Sequence, residues 1–171
     1  MLATLPTTET ARLAADPGFD RGFACYSREP SRRRDAMLEK IGRQNALYPM
    51  PVTLVGTVVE GRINFINIAH VGILGLTAIS LSINKTRYTN AGIKENGTFS
   101  INLPSVELVR ETDYCGIASG KSTDKAGFFE IFYGGLNTAP LIKQCPINME
   151  CRLIKTVDFP KHDVFVGEIV E

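Results

Sequence analysis

Short apolar segments recur along the chain from residue 52 onward, and turn residues separate them. Residues 52–59 are β-branched and apolar, Glu60-Gly61 follows, and residues 62–69 then alternate between polar and apolar side chains. This pattern predicts a β-hairpin with one buried face. Further segments with strand character are residues 76–83, 98–103, 147–153 and 162–170.

Two short helices are predicted between these strands. Residues 90–95 end at Asn96-Gly97, a pair typical of a helix C-terminus. Pro104-Ser105 begins the second helix, with Ser105 as its N-cap. Residues 37–43 can form one more helical turn. Many short strands without regular strand–helix alternation predict a mainly β fold, an antiparallel barrel or sandwich with short helices.

The first 36 residues lack such patterning. They contain Pro6, Pro17, Pro30 and the run Arg32-Arg33-Arg34, and no periodic apolar face develops. We expect a disordered N-terminal extension over residues 1–36 and one domain over residues 37–171. A start of translation at Met37 and a transit peptide are the alternatives for this segment.

Composition excludes several classes of function. A net charge of +1 argues against a nucleic-acid partner. No apolar run is long enough for a membrane span, and no secretory signal is visible. Four cysteines and two histidines without motif spacing predict no metal site and free thiols in a cytoplasmic setting.

A polar turn at residues 84–89 is the first candidate site. A strand meets a helix there, and unpaired N–H groups, hydroxyls and positive charge suit a phosphate monoester. The alternative is an ordinary turn in which Thr89 is the N-cap and Lys85 and Arg87 are solvated.

Three further segments carry polar residues. Asn67 and His70 lie at the end of a strand, where exposed backbone can meet a planar heterocycle. Residues 113–125 form a predicted loop with two glycines that permit close approach to a ligand, but their spacing is not that of a P-loop. His162 begins a strand beside an acid and can orient a cofactor or substrate. Each segment also fits a purely structural or solvated role.

Taken in order, these motifs resemble the flavin reductase-like family, and specifically its flavoredoxin-type branch. The resemblance covers residues 47–51, 67–72, 84–89, 96–104, the 113–125 loop, 139–142, 145–146, 150–151 and 162–168. It implies a split β-barrel homodimer that binds flavin mononucleotide (FMN). Family members continue past the strand at residues 167–170, so at Glu171 the barrel is expected to be incomplete or closed differently.

The resemblance also implies roles for individual residues. The isoalloxazine ring would meet Asn67, Ile68, Ala69 and His70, mainly through backbone. The ribityl phosphate would be held by Ser82, Asn84, Lys85, Thr86, Tyr88 and Thr89. The loop that closes on the flavin would include Ser119, Gly120, Lys121 and Lys125. His162 corresponds to a histidine near the nicotinamide, which makes it a candidate for positioning; no catalytic residue is assigned.

The implied activity is an FMN-dependent oxidoreductase that moves electrons from NAD(P)H or a redox partner to a flavin, a metal complex or a protein. In such proteins the flavin performs the redox chemistry while protein groups bind and orient it. The alternatives are an electron carrier without NAD(P)H activity and a truncated, non-catalytic remnant.

Overall fold

The computed structural model describes residues 40–171. Contacts within the chain separate a segment, Met1–Gln44, from a compact unit, Asn45–Glu171. The predictions for residues 1–36 therefore lie outside the described residues. The helical turn predicted over residues 37–43 is absent from its described part, because residues 40–43 have no regular structure.

Nine strands and two α-helices make up the compact unit. In chain order they are β1 (Thr53–Val59), β2 (Arg62–Ile68), β3 (Val71–Ile73), β4 (Ala78–Asn84), α1 (Tyr88–Asn96), β5 (Thr98–Leu103), α2 (Val109–Ile117), β6 (Ile131–Phe132), β7 (Leu141–Ile142), β8 (Ile147–Asp158) and β9 (His162–Ile169). Short 3-10 turns at Val106–Leu108 and Ala126–Phe128 precede α2 and β6.

Seven of the strands form one antiparallel sheet in the order β2-β1-β5-β8-β9-β4-β3. Its two edge strands, β2 and β3, are consecutive in the chain and are joined only by Ala69 and His70. The sheet therefore curls until its edges meet at this two-residue connection, which we call the seam. The mainly β fold with short helices is confirmed.

Two clusters of buried side chains hold the fold together. One lies inside the curled sheet and includes Val55, Phe99 and Phe165, each fully buried. The other, which includes Phe65 and Cys115, packs α2 and the segment after it against β2 and β1. Because α2 rests on β2, the second cluster fixes the position of α2 beside the seam.

The helix ends are only partly as the sequence predicts. Gly97 closes α1 with a left-handed backbone (φ 65°), and its N–H donates to the carbonyl of Ile93. However, α1 begins at Tyr88, so Arg87 and not Thr89 is its N-cap, and Ser105 makes no side-chain capping bond. Helix α2 continues to Ile117, which places Gly116 in a helix and not in the predicted loop.

Candidate functional site

A cavity of about 230 Å³ lies at the seam, between the ends of β2 and β4. Strand register explains its lining: Asn84 pairs with His162 across β4 and β9, and the N–H of Ser82 donates to the carbonyl of His70. The connection before β3 and the start of β9, which lie on either side of β4, thus bring both histidines of the chain to one cavity. The seam cavity is lined by Ile66, Asn67, Ile68, His70, Ser82, Asn84, Arg87, Gly116 and His162.

A smaller pocket of about 120 Å³, the turn pocket, adjoins the seam cavity. Ile66 and Arg87 line both spaces, so the two spaces are adjacent. The polar turn before α1 forms one wall, and the segment after α2 forms the other. The turn pocket is lined by Ile66, Thr86, Arg87, Tyr88, Ala118, Ser119 and Gly120.

Most of the residues predicted from the sequence meet at these two spaces. The structure thus brings together four segments that are up to about 95 residues apart, from Asn67 to His162. Five predicted residues line neither space: Ala69, Lys85, Thr89, Lys121 and Lys125.

Ile66 and Gly116 line the site without having been assigned to it, and Arg87, although it lies in the predicted turn at residues 84–89, was not named as an individual phosphate ligand. Arg87 is exposed, lines both spaces and caps the N-terminal end of α1. The signal was its position within the polar turn, between Thr86 and Tyr88. Its guanidinium offers several donors and a permanent positive charge, which suits it to a phosphate group.

The ammonium group of Lys85 lies beside two carboxylates. Its ammonium forms an ion pair with Asp158 and lies 4.0 Å from Asp163 Oδ1. Asp163 is 1% exposed and also accepts bonds from Asn90 Nδ2 (2.9 Å) and Lys94 Nζ (2.7 Å). Burial opposes ionisation of Asp163, but the hydrogen bonds from Lys94 and Asn90 and the charges of Lys94 and Lys85 outweigh it and lower its pKa. This network braces the start of β9 against α1.

The polar turn is rigidified by Asn84. Its Oδ1 accepts bonds from both the backbone N–H (3.0 Å) and the hydroxyl (2.9 Å) of Thr86. An asparagine that bonds two residues ahead in this way fixes the chain reversal. The start of α1 is thereby held beside Arg87, whose carbonyl accepts from the N–H of Asn90, and the N–H groups of Tyr88 and Thr89 precede this first bond.

Gly120 allows the far wall of the turn pocket to close. A Cβ at Gly120 would lie 2.0 Å from Asn64 Oδ1 and 2.9 Å from Tyr88 Cδ1. Asn64 is buried, and its Nδ2 donates to Thr89 Oγ1 at 2.6 Å. Thr89 therefore supports the pocket from behind, through Asn64, and only glycine fits opposite it.

The two lysines of the segment after α2 differ in their surroundings. Lys121 is exposed. Lys125 is 3% exposed, and its ammonium donates to the carbonyls of Cys115 and Ala118, each at 3.2 Å. Burial lowers the pKa of Lys125, and the nearby positive charge of Arg87 lowers it further, against an opposing effect of Cys115.

The described cysteines offer no reactive thiolate. Cys115, Cys145 and Cys151 are free and buried. Burial raises the pKa of Cys115 and Cys145 to about 11 and that of Cys151 to about 12. Within residues 40–171 no group of three metal-ligating side chains converges, and no helix is long and apolar enough to cross a membrane. Cys25 lies outside the described residues.

Three spaces larger than the seam cavity have less suitable linings. The smallest of them, of about 350 Å³, lies between Arg62 at the start of β2 and Thr123 of the segment after α2; the remaining two are larger. One, of about 510 Å³, is almost wholly aliphatic and lies at the β3–β4 end of the sheet, near Ile79 and Leu103. The other, of about 440 Å³, is an open groove beside α2 that meets the seam cavity at Asn67. None of the three brings several polar side chains from different strands together, so the seam cavity and the turn pocket form the candidate site.

Comparison with known proteins matches the same part of the chain. A flavin reductase like domain matches residues 45–171. The flavoredoxin from Methanosarcina acetivorans is 46% identical, with a TM-score of 0.74 over 78% of this chain and 74% of that one. An FMN-binding protein from Thermus thermophilus, with 1-cyclohex-2-enone bound, is 25% identical, with a TM-score of 0.71 over 78% and 79% of the two chains.

An uncharacterised protein of Archaeoglobus fulgidus is 34% identical over 94 residues, which are 54% of this chain and 53% of that protein. The chain thus spans about half the length of this curated relative. The domain match covers most of the chain, and the flavoredoxin aligns over most of both sequences with the same curled sheet. The chain belongs to the flavin reductase-like family of split-barrel proteins.

Proposed function

We propose that the chain binds FMN, with the phosphate in the turn pocket and the ring system toward the seam cavity. The observation that carries this proposal is the adjacency of the two spaces, which share Ile66 and Arg87 in their linings. A polar pocket that ends in a helix N-terminus suits the phosphate, and the seam offers strand ends to a planar heterocycle. The FMN-binding relative from Thermus thermophilus supports the same cofactor.

The donor set of the turn pocket fits a phosphate monoester. Arg87 supplies positive charge, Ser119 supplies a hydroxyl whose proton is free to donate because its oxygen accepts from the N–H of Lys121, and α1 begins beside the pocket at Tyr88. The Thr86 hydroxyl, which donates to Asn84 Oδ1, would have to release that bond to donate to a phosphate. Lys85 lies outside the pocket, and its charge is paired with Asp158. Arg87 is therefore the principal cation for the phosphate in this proposal.

The seam cavity, where the ring system is proposed to bind, is lined by fewer charged side chains and by the backbone at the ends of strands. Asn67 lines the seam cavity, and its side-chain amide forms no hydrogen bond with another residue of the described chain. Ser82, His70 and His162 complete the polar lining. These groups orient a flavin, and the flavin when bound supplies the redox chemistry. His162 is a positioning residue in this arrangement.

The function that follows is electron transfer through bound FMN. The protein would take electrons from NAD(P)H or from a redox protein and pass them to a flavin, a metal complex or a protein acceptor. Similarity to a flavoredoxin favours a second candidate, an electron carrier that does not react with NAD(P)H itself. We further propose a homodimer located in the cytoplasm.

Two measurements test these proposals in order. The absorbance spectrum of the purified protein should show flavin bands, or acquire them on titration with FMN. Absence of both would refute the cofactor assignment and favour a non-catalytic remnant. With flavin bound, oxidation of NADH or NADPH faster than with free FMN supports the reductase. Turnover no faster than free FMN would leave only the electron carrier.

A further inference from the structure

The open groove of about 440 Å³ beside α2, which we call the α2 groove, has an apolar rim. Val52, Val106 and Val109 line it, and their side chains are 44%, 79% and 62% exposed. Apolar side chains that stay in water around a concave surface indicate a place where a ligand with an apolar body binds. The volume of the groove also lies within the range of small-molecule sites.

Thr112 adds a polar group without a partner to the lining of this groove. Its side chain is 6% exposed, and its hydroxyl forms no hydrogen bond within the described residues. Buried hydroxyls normally have a partner, because an unpaired one costs free energy. Water does not reach the hydroxyl in its present rotamer, but threonine in a helix populates two χ1 rotamers. A ligand in the groove can therefore draw the hydroxyl toward itself and satisfy it.

Asn67 joins the α2 groove to the seam cavity, because it lines both spaces. Its side-chain amide carries two N–H donors and a carbonyl acceptor, so it can bond a ligand in either space. A molecule in the α2 groove therefore lies next to the molecule in the seam cavity, where the ring system of FMN is proposed to bind.

The charges around the α2 groove disfavour an anionic ligand. Among the described residues that line it, Asp113 alone is charged. Its helical wall, residues 106–113, carries the acids Glu107, Glu111 and Asp113 against one base, Arg110. The phosphates of a dinucleotide would meet like charge here, whereas phosphate sites normally supply cations. An apolar rim with hydroxyl and amide donors fits instead an uncharged ring compound whose carbonyl oxygens accept hydrogen bonds.

We propose that the α2 groove is the subsite for an uncharged quinone that accepts electrons from the flavin. Thr112 and Asn67 donate hydrogen bonds to its carbonyl oxygens, and the valine rim covers its ring. The fully reduced, protonated flavin passes two electrons and two protons to the quinone, which becomes the hydroquinone while the flavin returns to its oxidised form. This inference rests on the proposed FMN site and adds an acceptor class to it.

The first test follows flavin reoxidation in FMN-loaded protein that dithionite has reduced in the absence of oxygen. Duroquinone (tetramethyl-1,4-benzoquinone) is the uncharged probe, and ferricyanide, a trianion, is the acceptor that needs no groove. With wild-type protein the rate should saturate as the duroquinone concentration rises. T112V removes the hydroxyl and keeps the shape of the side chain. It should raise the half-saturating concentration of duroquinone about three- to tenfold, as expected for one lost hydrogen bond between uncharged groups, without slowing ferricyanide.

The matched control is T156V, which alters an exposed threonine of β8 and should behave as wild type with both acceptors. T112V should melt no lower than wild type, because its hydroxyl has no partner to lose. A second readout needs no electron transfer: duroquinone should raise the melting temperature of flavin-free wild-type protein and T156V more than that of T112V.

Three results would each overturn the inference. They are duroquinone kinetics that do not saturate in wild type, an unchanged half-saturating concentration in T112V, and an equal slowing of both acceptors in T112V. If the wild-type protein holds no FMN, the proposed function fails and electron transfer to the quinone fails with it. The melting experiment then still decides whether the groove binds the quinone, so the two failures remain distinguishable.

Discussion

Replacement of Gly120 by alanine tests whether the closed wall of the turn pocket matters for binding. The new Cβ would lie 2.0 Å from Asn64 Oδ1, where a normal contact needs more than 3 Å. Asn64 cannot easily yield, because it is 3% exposed and its amide is bonded to Thr89. The backbone of Gly120 does not have a positive φ, so steric overlap is the only penalty. The segment after α2 must therefore move outward by about 1 Å.

The size of the effect follows from this overlap. Forcing one extra methyl group into a well-packed site costs about 1–3 kcal/mol. If the bound state needs the wall in its native place, the same free energy is subtracted from flavin binding. The affinity for FMN should then fall roughly 5- to 150-fold. Part of the cost also appears in folding, and the melting temperature should fall by a few degrees.

The assay is a fluorescence titration with FMN alongside a thermal melt, for G120A and for G127A. Gly127 lies in the same segment, and a Cβ there meets only Asp124 Oδ2, at an ordinary 3.8 Å. We expect G127A to resemble wild type in both measurements. If G120A bound FMN as tightly as G127A does, the wall would not contribute to the site, and the reasoning would be wrong.

Three other predictions concern charge and packing. R87Q should weaken FMN binding more than K85Q does, because Arg87 lines the pocket while Lys85 pairs with acids; titration of both variants checks this, and equal losses would contradict it. The pKa of Asp163 is lower in the folded protein than its usual value of 3.8, so the ionised carboxylate stabilises the fold at any pH above 3.8. This contribution is lost as the pH falls through the folded-state pKa. The melting temperature of wild type should therefore exceed that of D163N at neutral pH, and the gap should narrow in acid; a gap independent of pH would refute the assignment. F165A, at a fully buried position, should reduce the free energy of unfolding by about 3–5 kcal/mol in denaturant titration, and a loss below about 1 kcal/mol would show that the core is not as packed as described.

Strands could be predicted from the sequence where polar and apolar side chains alternate regularly, because this alternation indicates a strand with one buried face. Residues 98–103 were predicted and are β5, and the strands at β1, β2 and β9 were placed within a residue or two. Strand β3 was missed because three residues, including Gly72, carry too little pattern. The prediction for β8 stopped at Leu153 because the pairing shifts register between Leu153 and Lys155, which breaks the alternation although the strand continues.

The candidate site was predictable only as a set of segments. Polar residues at strand ends and before a helix indicate where a ligand can bind, and the resemblance to a family placed those segments in one site. The sequence could not tell which cation faces the pocket. Arg87 and Lys85 are two residues apart in one turn, and Asp158, far along the chain, is what draws Lys85 away. The buried state of Lys125 likewise depends on the tertiary position of α2.

The position of the seam cavity would couple ligand binding to the contact between the two sheet edges. Ala69 and His70 join the last residue of one sheet edge to the first residue of the other, so the curled sheet can open only by bending the chain at these two residues. A molecule in the seam cavity touches β2 on one side and β4 and β9 on the other. Such a molecule would therefore hold the two edges of the sheet together through its contacts with both. Amide hydrogens of β2 and β3 should then exchange more slowly together when the cavity is filled, because both edges are freed by the same opening motion.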